Sequence, residues 1–206
     1  MTRRGLSAPR GALVASALLV SVLWGPGCGK KHAATPGADK GPRIIQLTAT
    51  PGVVVKQACT PSGTEQCFNA RDDNCNGIID EGCGVATGLV QFAVAWNQPN
   101  ADVDLEVTDP NGELAEVGRA AKSGLVKDRD CPGKSNACRG QNMENVYLEE
   151  GDPPRGKYRV RVRLEKLGGE NPPIQVMLGA RVGPKTYSLE LELTKPEDER
   201  VIVIEL

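Results

Sequence analysis

Oxygen donors are concentrated in one short stretch of the chain, residues 67–83, which reads CFNARDDNCNGIIDEGC. Laid over the calcium-loop pattern D-x-[DN]-x-[DN]-G, it matches ligand positions one, three and five and has glycine at the sharp turn. It also offers a backbone carbonyl at position seven and acidic side chains at positions nine and ten. Hard cations bind several oxygen ligands at flexible geometry. The predicted calcium ligands are, in that order, Asp72, Asn74, Asn76, Ile78, Asp80 and Glu81.

Two interpretations of this stretch stay open. Its carboxylates lie close enough to repel one another unless a cation or Arg71 offsets them, which favours a metal. At position twelve, where a bidentate Glu usually completes a calcium shell, the chain has Cys83, so the loop is a shortened variant. The alternative is that Asn, Asp and Gly form turns between disulfides, which requires no metal.

The N-terminus is typical of an exported protein. Basic residues precede an apolar run over residues 12–24, which is too short to span a bilayer comfortably, and Cys28 follows. This arrangement resembles a bacterial lipoprotein signal, in which such a cysteine is lipidated; a plain secretory signal is the alternative. The resemblance implies a signal segment over residues 1–28 and an exported chain whose lipid anchor holds it to the outer membrane or cell surface. Gly29 after the cysteine favours the outer membrane.

Cysteine counting supports export. The chain has seven cysteines, and lipidation of Cys28 leaves an even number, which in an exported protein predicts three disulfides. Cys131 and Cys138 form the obvious local pair. The other four can pair among themselves in three ways: Cys59, Cys67, Cys75 and Cys83. A zinc site would need CxxC spacing or histidine, and neither occurs among them.

The same stretch also resembles a known family motif. CFNARDDNCNGIIDEGC is similar to the Cys-rich metal-binding motif of the MopE type, with Ala70 in place of the usual Gly and Asn74 in place of the usual Asp. The family name implies copper. The chain has one histidine, His32, and it lies outside the motif, so oxygen ligands favour calcium.

Residues 86–206 show the period-two alternation of strands in segment after segment, as in VQFAVAW, DVDLEV and YRVRVRL. Turn signals separate the segments at DPNG, GDPPRG and VGPK. We therefore expect a mainly β fold: an antiparallel β-sandwich of seven or eight strands. A flexible tether over residues 29–56 and a disulfide-held metal-binding loop over residues 57–85 precede it. The alternative for PGVVVKQ, within the tether, is an edge strand of the sandwich.

This half of the chain carries a second resemblance. The segments VAWNQPNADVDLEVTDPNGE, LVKDRDC, MENVYL and GKYRVRVRL are similar, in order and spacing, to the uncharacterised DUF2135 (YfaP-like) domain. The resemblance implies a surface or secreted β-sandwich and supplies no activity.

A second, weaker calcium site is predicted within the sandwich. Asp102 and Asp104 share one face of a strand, because residues two apart point the same way. Further oxygen donors are expected in loops that could approach them: Asp128, Asp130, Glu144 and Asn145. The alternative is a solvated strand face with aspartates that cap loops.

Composition narrows the function. A formal net charge of −1, with basic and acidic residues interspersed, argues against nucleic acid as a partner. General-base catalysis most often uses histidine, and His32 lies in the expected tether, so no catalytic residue and no organic cofactor are expected. Aromatic residues are too few for the sugar-stacking cleft of a glycosidase. Two hypotheses remain. The first is a non-enzymatic, calcium-binding lipoprotein for adhesion or assembly, which is anchored in the membrane and contacts a cell-surface protein or glycan. The second is a secreted or periplasmic accessory domain that binds carbohydrate or peptide.

Overall fold

The structure is a computed structural model that describes residues 46–56, 59, 61, 63–132, 138 and 140–206. The expected signal, its Cys28 and the tether up to residue 45 lie outside the described residues. Within them, no helix has the length and apolarity needed to cross a membrane.

In the described part of the chain, ten strands form two antiparallel sheets. In chain order they are β1 (Gln46–Ala49), β2 (Val53–Lys56), β3 (Val90–Trp96), β4 (Asp102–Thr108), β5 (Val126–Arg129), β6 (Met143–Leu148), β7 (Lys157–Lys166), β8 (Ile174–Val182), β9 (Lys185–Leu193) and β10 (Glu199–Glu205). The four-stranded sheet has the order β1-β10-β7-β4, and the six-stranded sheet β2-β9-β8-β3-β6-β5. This confirms the predicted mainly β, antiparallel fold, and β3 to β10 match the seven or eight strands expected after residue 86.

The end of the expected tether is part of the sandwich, which corrects that prediction. Strand β1 pairs with β10 at the edge of one sheet, and β2 pairs with β9 at the edge of the other. The glycine of the turn between them, Gly52, has φ +88°, a conformation that glycine adopts without steric cost. The edge strand weighed for PGVVVKQ is therefore observed as β2. Its exposed Val54 and Val55 lack the strict alternation that would have identified it from sequence.

The main core lies between the two sheets and follows from the period-two pattern. On β4, Val103, Leu105 and Val107 are fully buried while their neighbours are half-buried. Each such buried side chain contributes roughly 1.5–3 kcal/mol relative to an exposed one. The acidic residues of β4 therefore lie on the outer face of the four-stranded sheet.

Strand β3 is buried on both faces, because a second apolar cluster covers the outer side of the six-stranded sheet. Ala93 and Ala95 of β3 pack there against Ala70 and Ile79 of the Cys-rich loop, by which we mean the described residues of 59–85. At Gly179 of β8, a Cβ atom would come within 2.3 Å of the Ala70 carbonyl oxygen. Small residues on the sheet thus let the loop dock closely, and loop and sandwich share a buried core.

Candidate metal site

Two interlaced disulfides hold the Cys-rich loop, Cys59–Cys75 and Cys67–Cys83, each joining residues 16 apart. A third joins Cys131 to Cys138. The three predicted disulfides and the local pair are confirmed, and the structure selects one of the three pairings that the sequence left open. With these sulfurs oxidised, the loop offers a metal only oxygen ligands.

Asp72 organises the turn in which the first predicted ligands lie. Its side chain is almost fully buried, and its carboxylate accepts the backbone N–H of Asn76 at 3.0 Å and of Gly77 at 2.9 Å. Asn74 Oδ1 accepts the Asn76 N–H at 2.9 Å, and Asn76 Oδ1 accepts the Ile78 N–H at 2.8 Å. These local bonds fold residues 72–78 into a tight turn, as expected of Asn and Asp near a glycine.

Glu81 brings the other end of the loop to the same turn. Its Oε1 atom accepts hydrogen bonds from the side-chain amides of Asn74, at 2.5 Å, and of Asn76. Its Oε2 atom is shielded from solvent and has no hydrogen-bond partner among the described residues. The structure therefore brings Asn74, Asn76 and Glu81 together beside Asp72. The two amide N–H groups partly offset the Glu81 charge, which is the role that a cation would take.

Asp80 lies apart from the turn that Asp72, Asn74, Asn76 and Glu81 form. It is fully buried, and its two oxygens accept the N–H groups of Asn69 at 3.2 Å and Ala70 at 2.9 Å. Burial raises the pKa of Asp80 to about 6, against the lowering effect of those hydrogen bonds. Asp80 thus braces the side of the loop that faces the sheet, and its predicted role as a ligand stays a prediction.

Glu65 is a contributor that sequence reasoning missed. Its carboxylate accepts the N–H groups of Asp80 at 3.0 Å, Asp73 at 3.2 Å and Asn74 at 3.4 Å. Burial and the nearby charge of Glu81 both raise the pKa of Glu65. Nothing in the spacing of the motif points to this residue, because it lies before the first cysteine of the quoted stretch and reaches the loop only through its fold.

Four carboxylates of the loop have no basic partner among the described residues. Arg71, the one basic residue considered for offsetting their charge, forms an ion pair with Glu190 of β9 at 3.4 Å, and Glu190 also binds Lys56 at 3.0 Å. In the part of the chain that the structure describes, no Lys or Arg forms an ion pair with these carboxylates: Glu65, Asp72, Asp80 and Glu81. The loop therefore keeps concentrated negative charge.

The donor set fits a hard cation. Carboxylate, amide and carbonyl oxygens are the ligands that calcium prefers, and soft or imidazole donors are lacking in the loop. Among the described residues, no group of three or more His, Cys, Asp or Glu side chains is arranged to hold a metal. A calcium ion here would therefore need amide or carbonyl oxygens, as the predicted set of Asn74, Asn76 and Ile78 supplies, in addition to Asp72 and Glu81.

The second predicted site is not assembled in the same way. Asp102 lies 3.5 Å from Lys166, and Asp104 forms an ion pair with Arg163 at 3.1 Å, both on the four-stranded sheet. On or beside β5 of the other sheet, Asp128 accepts a hydrogen bond from Asn145 at 2.7 Å and Asp130 pairs with Lys127 at 2.6 Å. The four aspartates thus have four separate partners, and the structure does not bring them together.

Glu144 and Asn145 lie on β6 rather than in loops, which corrects that expectation. Glu144 is fully buried and accepts the Leu105 N–H at 2.6 Å and the Lys127 ammonium at 2.8 Å. Burial raises the pKa of Glu144 to about 8, although Lys127 opposes this. Asn145, on the opposite face of the strand, donates to the Ala86 carbonyl at 2.8 Å and so helps to hold the segment that directly follows the Cys-rich loop. These polar groups have structural partners.

No protein-family model, no curated protein and no solved structure matches the chain.

Proposed function

We propose that the chain is an exported, non-enzymatic lipoprotein in which calcium bound to the Cys-rich loop stabilises an adhesion or assembly module. The observation that carries the proposal is the charge of the loop. Glu81 has a buried oxygen without a hydrogen-bond partner in the described part of the chain, and Arg71 pairs instead with Glu190. Shielding a carboxylate from water is costly when its charge is only partly offset, so a cation at this place lowers the free energy of the folded state.

Loop order is coupled to the sandwich through the shared core. Ile79 follows the predicted carbonyl ligand Ile78 directly, and it is fully buried against the outer face of the six-stranded sheet. Stabilising the loop therefore stabilises a surface that covers β3 and β8. This supports a structural role for calcium, which acts on the shape of a binding surface rather than on a reaction.

The resemblances support the location. A lipidated Cys28 would hold the sandwich at the outer membrane or cell surface, and both the MopE-type motif and the DUF2135-like segments imply surface or secreted proteins. The residues available for recognition then face a cell-surface protein or glycan.

Thermal unfolding of the full-length protein in detergent tests the calcium role. Extracellular calcium modules bind at about 10⁻⁴ to 10⁻³ M, and a roughly 100-fold excess over such a constant adds about 2.7 kcal/mol of stability. Calcium should therefore raise the melting temperature relative to a chelator, and Asp72→Asn with Glu81→Gln should remove the increment. Asp102→Asn with Asp104→Asn is the matched control and should retain it. A parent protein that melts at the same temperature in calcium and in chelator contradicts the proposal.

Membrane fractionation tests the anchor separately. The parent should partition into the detergent phase and label with a fatty-acid analogue, whereas Cys28→Ala should appear in the soluble fraction. Labelling that persists in Cys28→Ala contradicts the lipoprotein assignment.

A further inference from the structure

A cleft of about 440 Å³ lies where the Cys-rich loop meets the outer face of the six-stranded sheet. Gln66, Phe68 and Asn69 of the loop line one side, and Asn97 and Gln175 line the sheet side. The volume falls within the range of roughly 300–1,000 Å³ that is typical of small-molecule sites. We infer that this cleft binds a neutral saccharide. The inference deepens the proposed adhesion role and rests on it, but it does not require calcium.

Amide side chains dominate the polar lining. An amide group offers both hydrogen-bond donors and acceptors, which matches hydroxyl groups that also donate and accept. The side chains of Gln66 and Asn97 are exposed, and neither makes a hydrogen bond to another described residue. They can therefore bind a ligand without first breaking a hydrogen bond to another of the described residues.

The charges of the cleft disfavour an acidic ligand. Arg71, the only basic residue among the described residues of the lining, already forms an ion pair with Glu190, and Asp73 adds a second carboxylate. An anionic sugar would meet these carboxylates without a free cation to offset them. A neutral ligand bears no such cost.

The sheet side of the cleft also disfavours an extended peptide. Peptides commonly bind sheets by adding a strand to an open edge, where backbone N–H and C=O groups are unpaired. The cleft instead lies on β3 and β8, which are inner strands paired on both sides. Recognition here must therefore use side chains, as the amides provide.

Phe68 and Met177 supply the apolar surface against which the C–H groups of a sugar ring can pack. Phe68 has φ +64°, an unusual conformation for a bulky residue, and the Arg129 guanidinium lies 5.0 Å from its ring centre. The loop thus holds this ring at the cleft. Trp96, the other aromatic residue of the lining, is buried in the core. Hydrogen bonds rather than stacking therefore determine specificity, and affinity should be modest.

Calorimetric titration of the full-length protein in detergent tests the inference. The probes are maltotriose, cellotriose and chitotriose as neutral saccharides, trigalacturonate as an acidic one, and trialanine as a peptide. At least one neutral trisaccharide should bind in the millimolar range, and the acidic saccharide and the peptide should not. Gln66→Ala with Asn97→Ala should weaken binding about tenfold, through lost hydrogen bonds to the sugar. Gln46→Ala, an exposed amide on the other sheet, is the matched control and should leave binding unchanged.

The melting temperature of the double variant should equal that of the parent, and Asn97→Asp provides a second variant of nearly equal size that should also weaken binding. Failure of every neutral probe to bind, binding of trialanine instead, or equal affinity of the double variant overturns the inference. Titrations in calcium and in chelator separate the two proposals. A calcium-dependent melting temperature without saccharide binding refutes the cleft alone, and saccharide binding without any response to calcium refutes the metal role alone.

Discussion

The Cys-rich loop and the aspartates of the sandwich are both rich in carboxylates, yet they balance that charge in different ways. In the loop, Asp72 and Asp80 accept backbone N–H groups, and no described Lys or Arg pairs with them. In the sandwich, Asp104 pairs with Arg163 and Asp130 with Lys127. Carboxylates already paired with basic side chains have little need of a cation, whereas those held by N–H groups alone keep their charge. The comparison therefore favours the loop as the metal site.

We expect the largest loss of stability when a paired carboxylate of the sandwich is left without its basic partner. Lys127→Met leaves the fully buried Glu144 without its cation. At a pH above 8, where Glu144 is ionised, breaking such a buried pair typically costs about 3–5 kcal/mol. Lys166→Met removes the exposed partner of Asp102 and should cost less than about 1 kcal/mol. Urea unfolding measures both. Equal losses of stability in the two variants would show that the burial of Glu144 does not increase the cost of removing its cation.

The next largest loss of stability is expected when a disulfide of the Cys-rich loop is removed. Cys67→Ala with Cys83→Ala opens a disulfide between residues 16 apart, which the chain-entropy model values at about 3 kcal/mol. The sandwich should also be destabilised, because the loop covers β3. The same double substitution should weaken calcium binding. Cys131→Ala with Cys138→Ala should leave calcium binding unchanged, since that bond lies outside the loop. Unchanged calcium binding after loss of the Cys67–Cys83 bond would separate the metal from this loop.

A smaller effect comes from the docking of the loop on the sheet. Gly179→Ala places a methyl group against the Ala70 carbonyl, and overpacking of this kind costs about 1–3 kcal/mol. Gln175→Ala, an exposed change on the same strand, should alter stability by less than about 0.5 kcal/mol. Denaturant unfolding distinguishes them. A Gly179→Ala protein as stable as the parent would mean that the loop is not held closely to the sheet.

The pH dependence of stability should report the buried carboxylate of the sandwich. Burial raises the pKa of Glu144 to about 8, above the value of 4.5 for a solvated Glu, so the folded state holds the proton more tightly. Its contribution to stability is therefore complete below about pH 4.5 and is lost as the pH rises through 8. Each pKa difference of one corresponds to about 1.4 kcal/mol. Glu144→Gln should flatten this decline, and an equally steep decline in that variant would assign it to other groups.

Much of the fold could be predicted from the sequence, because alternation along β4 and β7 marks a buried face and a more exposed one. Strands β1 and β2 were harder to recognise, since a four-residue edge strand such as VVVK carries no clear alternation. The separate partners of Asp102 and Asp104 could not be seen either. They depend on the pairing of β4 with the basic face of β7, which is a contact between segments some 60 residues apart.

Within the candidate site, the local part was predictable and the long-range part was not. The turn around Gly77 follows from the spacing of Asp72, Asn74 and Asn76, which bond within a few residues of themselves. The bonds of Glu65 and the inward place of Asp80 depend on how the disulfides fold the loop on the sheet. Connectivity of the four clustered cysteines is likewise a property of that fold.

Calcium stoichiometry is the most direct test that the loop, and not the sandwich face, is the metal site. Calorimetric titration of the full-length protein should show one calcium ion bound per chain for the parent and for Asp102→Asn with Asp104→Asn. The same titration should show none for Asp72→Asn with Glu81→Gln, because that variant removes both carboxylates at the turn while the paired aspartates remain. Calcium binding that survives in the loop variant and disappears in the sandwich variant, or a parent that binds no calcium, would contradict the account.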